Sequence, residues 1–222
     1  AAHYGALVQI GDKVPVPKAF GIPVSYYWQF MEKNGLNKQI QAMLADKTFI
    51  SDPAVRDQTL KALRDAIKAA PVDPKFQAEL EAKLKADYPG IRMRFRSSTN
   101  AEDLDGFTGA GLYNSLSGDL ADPEKPIMNA VRGVWSSVWY FRAFEERTYR
   151  SIDHLKVGMA LLVHRSFPDE EANGVALTAN PFDLSGLEPG FYINVQVGEA
   201  SVVKPEPGVF TDQFIYHYDM PG

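Results

Sequence analysis

The segment RMRFRSSTNAEDLDGFTGAG, residues 92–111, gathers the residue types in this chain best suited to chemistry. Arg92, Arg94 and Arg96 alternate with Met93 and Phe95, so in a strand the three guanidinium groups share one face and the apolar pair takes the other. Ser97, Ser98 and Thr99 follow as short hydroxyl donors. Thr99 and Glu102 have the spacing of a capping box, which predicts a helix start there. A helix start offers free N–H groups and a partial positive charge, where phosphates settle. Gly106, Gly109 and Gly111, with Thr108 and Ala110 between them, would let the backbone approach a ligand closely and present its N–H groups. Together these features point to a phosphate. The competing reading is an Arg96 that makes an internal ion pair and glycines that only turn the chain. The spacing matches neither the Walker loop nor the dinucleotide fingerprint.

The elements that must position this segment are helices before it and strands after it. A strand is expected at 91–97. Residues 1–10 suggest a short helix stopped by Gly11, and KVPVPKAFGIPVS is too rich in proline for a helix. Ser25 is placed to cap the helix YYWQFMEKN before Gly35. Asp52-Pro53 and Asp73-Pro74 each set a capping carboxylate before a first-turn proline. The helices they open carry the apolar stripes Leu60, Leu63, Ile67 and Phe76, Leu80, Leu84, with charged backs that read as solvated surface. A longer helix is expected over 126–150, its buried line formed by Ile127, Val131, Val134, Val138 and Phe141 and widened by Trp135 and Trp139. Beyond it, VGMALLV, GVALTAN, FYINVQV and DQFIYHY are short β-branched or aromatic runs split by turn residues, so the carboxyl third is expected to be a sheet. Helices first and strands later make an α+β chain. The change of period places a boundary near 155–165, dividing the chain into 1–160 and 161–222.

Bulk composition narrows the function. With 45% hydrophobic and 12% aromatic residues the chain has enough apolar surface for a packed core. A net charge of -5 disfavours a nucleic-acid or anionic-membrane partner, so any anion site must be local. There is no cysteine, hence no disulfide framework and no Cys-based metal site or nucleophile. The longest apolar runs are too short for a membrane span and no signal pattern opens the chain, from which a cytoplasmic protein is expected. His3, His154, His164 and His217 show no pairing at metal spacing. Glu145 and Glu146 are adjacent on a helix and so point apart, which argues against shared acid-base work; Arg142 and Arg147 are expected to brace the cleft wall or the Arg96 strand.

RFRSSTNAEDLDGFTGAG resembles the RSS-x-x-x-ED-x-x-x-x-F-x-G segment of the nucleotide-binding domain shared by phosphoenolpyruvate synthases, pyruvate phosphate dikinases and rifampicin phosphotransferases. The likeness continues in order through VPVPKAFGIP, VWSSVWYFRAFEER, LLVHRSF, GVALTANP and NVQVGEASVV. It implies an ATP-grasp-like fold, here an incomplete two-lobed domain with amino-terminal helices and a mainly antiparallel carboxyl-terminal sheet. It also implies phosphoryl transfer from ATP to a histidine on a separate phosphohistidine domain of the same polypeptide. By residue, it implies that Arg96 grips the ATP phosphates, that Gly106, Thr108, Gly109 and Ala110 belong to the loop closing over them, that the backbone of Val163, His164 and Arg165 reads adenine, and that Glu199 reaches the nucleotide.

The chain also departs from the family pattern. The family's amino-terminal lysine is absent, and the E-F-x…Q-x-R pattern that would hold Mg2+ and ribose does not occur before Gly222. A fragment not competent alone is therefore expected. The rival expectation is a catalytically inactive domain of the same fold with a regulatory or partner-docking role.

Overall fold

In the computed structural model, which describes residues 2–101, 111–198, 202 and 207–218, the chain forms two compact units, Ala1–Ser166 and Phe167–Gly222. The expected division at 160/161 falls inside a strand that pairs wholly within the first unit, so the observed boundary lies a few residues later.

In the first unit, α1 (Ala2–Gln9) is followed by Gly11 at φ 73°, the left-handed geometry for which glycine is suited. β1 (Ala19–Ile22) then leads into α2 (Val24–Lys33), which starts behind Pro23. Ser25 is already inside that helix and makes no cap, which corrects its expected role; the fixed φ of proline opens the helix instead. Gly35, at φ 67°, lets the chain turn directly into α3 (Leu36–Ala45), whose Leu36, Ile40 and Met43 are buried. Carboxylates open the next three helices. Asp46 caps α4 (Lys47–Ser51), Asp52 caps α5 (Pro53–Ala69) and Asp73 caps α6 (Pro74–Asp87), each accepting two backbone N–H groups.

β2 (Met93–Thr99) and β3 (Leu116–Gly118) precede α7 (Ile127–Ser136) and α8 (Phe141–Tyr149). The single helix expected over 126–150 is thus two. Ser136 and Ser137 donate their hydroxyls to the carbonyls of Gly133 (2.8 Å) and Val134 (2.6 Å), a 3-10 turn spans Ser137–Trp139, and Tyr140 is extended at φ -63°, ψ 141°. Back-bonding serines and an extended residue together end the first helix and re-aim the second. β4 (Met159–Arg165) then enters the sheet between β1 and β2, giving the order β1-β4-β2-β3 with every pairing antiparallel.

That sheet has two unlike faces. Met93, Phe95, Leu161 and Val163 are at most 1% exposed and join a core that includes Phe30, Leu60, Leu63, Trp135 and Val138. Each large apolar side chain removed from water there contributes about 1.5–3 kcal/mol. The alternate positions, Arg94, Arg96 and Ser98 on β2 and Ala160, Leu162 and His164 on β4, form the other face.

The second unit is an antiparallel meander of β5 (Ala172–Leu177), β6 (Phe191–Val197) and β7 (Asp212–Tyr216). Gly174 is required at the β5–β6 ladder, since a Cβ there would lie 2.6 Å from the Asn194 carbonyl oxygen. The carboxyl-terminal strands therefore divide between two sheets, β4 belonging to the first.

Candidate functional site

Arg96 lies on β2 directly opposite Leu162 of β4, and Arg94 lies opposite His164. Arg96 is exposed and, among the described residues, meets no carboxylate or hydrogen-bond acceptor. The internal ion pair that would have made Arg96 structural is therefore not found there. Arg94 donates through Nη1 to Ser117 Oγ at 3.2 Å. Strand alternation, with Met93 and Phe95 locked in the core, is what holds both arginines on the open face.

His164 shares that face. Burial lowers its pKa below the ordinary imidazole value, and the charges of Arg96 and Arg94 push in the same direction, against the opposing effect of its 2.6 Å contact with the Arg165 carbonyl. The ring is thus held neutral beside two cations. Val163 points the other way, fully buried opposite Phe95 and Phe20. Arg165 is exposed at the end of the strand, opposite Met93. Gly106, Thr108, Gly109, Ala110 and Glu199 lie outside the described residues.

The described residues flanking 102–110 are firmly tied. Before it, Thr99 Oγ1 accepts the Ala101 N–H at 2.9 Å, so the hydroxyl makes a local turn at the end of β2. Asn100 donates to the Lys156 carbonyl (2.8 Å) and accepts from the Gly158 N–H (2.9 Å), fastening the end of β2 to the chain entering β4. After it, Gly111 has φ 76°, Arg142 Nε donates to the Leu112 carbonyl (3.2 Å), and Asn114 Nδ2 donates to the Tyr140 hydroxyl (2.5 Å). Sequence reasoning expected Arg142 to brace the cleft wall or β2; its bond is instead to the residue following the last glycine.

Arg147 is fully buried, with Nε donating to His154 Nδ1 at 3.2 Å and its guanidinium 5.7 Å from the Trp139 ring centroid. Glu145 pairs with Arg56 and Glu146 with Arg150, at 2.5 and 2.7 Å, so the two acids serve separate neighbours.

Two features escaped sequence reasoning. A cavity of about 730 Å³ is floored by Tyr26, Phe30, Phe76 and Trp135, and one of about 510 Å³ is lined by Asp57, Arg64, Asn114, Tyr140, Phe141 and Arg142. Each draws residues from distant segments, so no local spacing announces it. Among the described residues no group of three or more His, Cys, Asp or Glu could hold a metal ion, and no helix is long and apolar enough to cross a membrane.

Residues 3–217 match the family model described as "Pyruvate phosphate dikinase, AMP/ATP-binding domain". The chain is 28% identical to "Probable phosphoenolpyruvate synthase" of Staphylothermus marinus, over 97% of this chain and 27% of that protein. It is also 28% identical to the phosphoenolpyruvate synthase of Escherichia coli K12, over 93% of this chain and 26% of that one. With the phosphoenolpyruvate synthase of Pyrococcus furiosus the figures are 25%, 90% and 28%. The chain spans about a quarter of the length of these curated relatives. The match from residue 3 to residue 217 makes the chain a member of the family of the pyruvate phosphate dikinase AMP/ATP-binding domain.

Proposed function

We propose that this chain is the ATP-binding portion of a phosphotransferase of the phosphoenolpyruvate synthase and pyruvate phosphate dikinase type, with an ATP-grasp-like fold, and that Arg96 grips the nucleotide phosphates. The observation that carries this reading is an arginine without a counter-charge among the described residues, standing on the open sheet face beside neutral His164. A guanidinium so placed suits a phosphate, because its planar fork forms two charge-assisted hydrogen bonds to a tetrahedral anion. The ties at Asn100, Leu112 and Asn114 support the same reading, since they fix the described residues on either side of the glycine-rich segment.

Gly106, Thr108, Gly109 and Ala110 would contribute backbone N–H groups to the phosphates, Val163, His164 and Arg165 the adenine contact, and Glu199 a further contact to the nucleotide. The γ-phosphoryl group would pass to a histidine on a separate domain of the same polypeptide. What the chain supplies to such a transfer is position and charge neutralisation. The Mg2+ implied by the resemblance finds no ligand set among the described residues, and no step is routed through it.

The test is an NMR titration of His164 with and without ATP, alongside ATP affinity in the native chain and in Arg96→Ala. Phosphates settling on Arg96 would offset the charge that depresses the histidine, so ATP should raise the His164 pKa. The substitution should weaken ATP binding by about 1.5–3 kcal/mol, roughly tenfold or more. Unchanged affinity in Arg96→Ala would remove this residue from the site.

A further inference from the structure

One wall of the cavity of about 730 Å³ follows from helical spacing. Ser25, Gln29 and Lys33 recur every four residues along α2, with Tyr26 and Phe30 beside them, so one face of that helix lines the space. The other wall is residues 71–76, where the chain leaves α5 and starts α6, and Trp135 of α7 adds to the floor. The two walls are braced together. Asn34 Nδ2 donates to the carbonyls of Phe30 (2.8 Å) and Pro71 (3.2 Å), and Lys33 pairs with Asp73, whose carboxylate also caps α6. The cavity is therefore formed before a ligand arrives, as small-molecule sites generally are.

Its lining has a definite chemistry. Tyr26 stands 4.5 Å from Phe76 at an interplanar angle of 32°, and Phe76 stands 6.1 Å from Trp135 at 23°. The half-buried Tyr26 is the outer end of this row of rings, since Phe76 and Trp135 are buried. Ser25 Oγ and the Gln29 carboxamide have no hydrogen-bond partner among the described residues. Nor does Trp135 Nε1, although the residue is only 1% exposed, and a buried N–H without an acceptor is costly. The charges that line the cavity cancel in pairs, Lys33 with Asp73 and Lys75 with Glu79 (3.9 Å).

We propose that this cavity binds a small, neutral, planar aromatic molecule that carries a carboxamide-like group. A planar ring continues the row by stacking on Tyr26. An amide both donates and accepts hydrogen bonds, which matches the unpartnered Ser25 hydroxyl and Gln29 carboxamide. An ionic ligand would bring a charge that no lining residue is left to pair with, over an apolar floor. The volume lies within the range of about 300–1,000 Å³ usual for such sites. Phe30 and Trp135 belong to the core on the apolar face of the first sheet, whereas Arg96 is on the other face. Binding here is thus independent of the proposed ATP site.

2-Naphthamide is the probe, with 2-naphthoate as its charged counterpart. The folded chain has three tryptophans, so three indole N–H signals in the 1H-15N NMR spectrum follow the titration. The expected result is a saturable shift of the Trp135 signal, while that of Trp139, held by the Tyr27 hydroxyl at 3.0 Å, stays in place. 2-Naphthoate should bind about tenfold or more weakly, and the affinity for 2-naphthamide should fall about fivefold in Gln29→Ala and in Ser25→Ala. Both substitutions are at exposed positions, so the fold is retained. An unmoved Trp135 signal, equal affinity for amide and carboxylate, or affinity unchanged in both variants would overturn the proposal. So would shifts at Leu162 and His164 in place of Trp135, which would put the probe on the Arg96 face of the sheet.

Discussion

Arg94 and His164 stand directly opposite each other in the β2–β4 ladder, with Arg96 two residues along the same face. Burial holds the imidazole pKa low, and Arg96 and Arg94 lower it further. Arg96→Gln removes one of those charges and should move the His164 pKa upward, toward its ordinary value near 6.5. Two-dimensional NMR of the imidazole carbons over pH 4–8 checks this. An unmoved titration curve would mean that the two side chains do not sense each other.

His154 offers a stability test. Burial, reinforced by the neighbouring charge of Arg147, pushes its pKa down to about 4. The unfolded state therefore binds this proton more readily than the native state. Stability from this group is complete above pH 6.5 and is lost as pH falls toward 4. Discounting for the ring's partial contact with solvent, the loss should be about 1–2 kcal/mol. Urea unfolding of the native chain and His154→Gln at pH 7 and pH 4.5 should show a larger drop in the native chain.

Arg147 tests what a buried cation is worth with no carboxylate partner among the described residues. It is fully buried, contacts His154 and the Trp139 ring, and its pKa is lowered chiefly by burial. Arg147→Met exchanges the desolvated charge for an apolar side chain and should stay within about 1 kcal/mol of the native stability, or exceed it. It should also raise the His154 pKa, by removing a neighbouring charge. A loss of several kcal/mol with no change at His154 would contradict both expectations.

Gly174→Ala should destabilise the second unit by about 1–3 kcal/mol, because the new methyl group meets the Asn194 carbonyl at 2.6 Å and a backbone atom cannot swing aside. Hydrogen exchange at β5 and β6 reads the effect locally. Protection equal to that of the native chain would show that the strands can part without cost.

Arg56 donates through Nε to Glu145 (2.5 Å) and through Nη1 to the carbonyls of Phe49 and Ile50 (2.8 Å each). Arg56→Ala should cost about 2–3 kcal/mol. Arg56→Lys should recover only part of this, since an ammonium cannot reproduce the fork. Chemical denaturation of the three proteins decides between a geometric role and a purely electrostatic one, in which lysine would restore stability fully.

The features legible in the sequence are those governed by neighbours a few residues away. Asp52 and Asp73 behave as caps, and Leu60, Leu63, Ile67, Phe76, Leu80 and Leu84 all lie in the core. Strand alternation at Met93 and Phe95 predicts which way Arg94 and Arg96 face. α3 also carried a readable stripe at Leu36, Ile40 and Met43, although sequence reasoning passed over it. The break between α7 and α8 was less accessible, because the apolar line runs on through Val138 and Phe141 and only the paired serines hint at an interruption. The pairing of β4 with strands some 65 and 140 residues earlier is non-local, as is the meeting of Arg64 with Tyr140 and Arg142, and no periodicity encodes either. For the candidate site, residue types suggested a phosphate, while the lack of a counter-ion at Arg96 among the described residues became visible only in three dimensions.

The interruption at Tyr140 also acts as an angular setting. Each residue added to a helix turns everything beyond it by about 100°. A one-residue insertion or deletion between Ser137 and Tyr140 would rotate Arg142 and Glu145 together, taking them from Leu112 and Arg56 in a single stroke. The length of this joint is therefore under tighter constraint than the identity of its residues, and variants that alter its chemistry should survive where those that alter its phase do not.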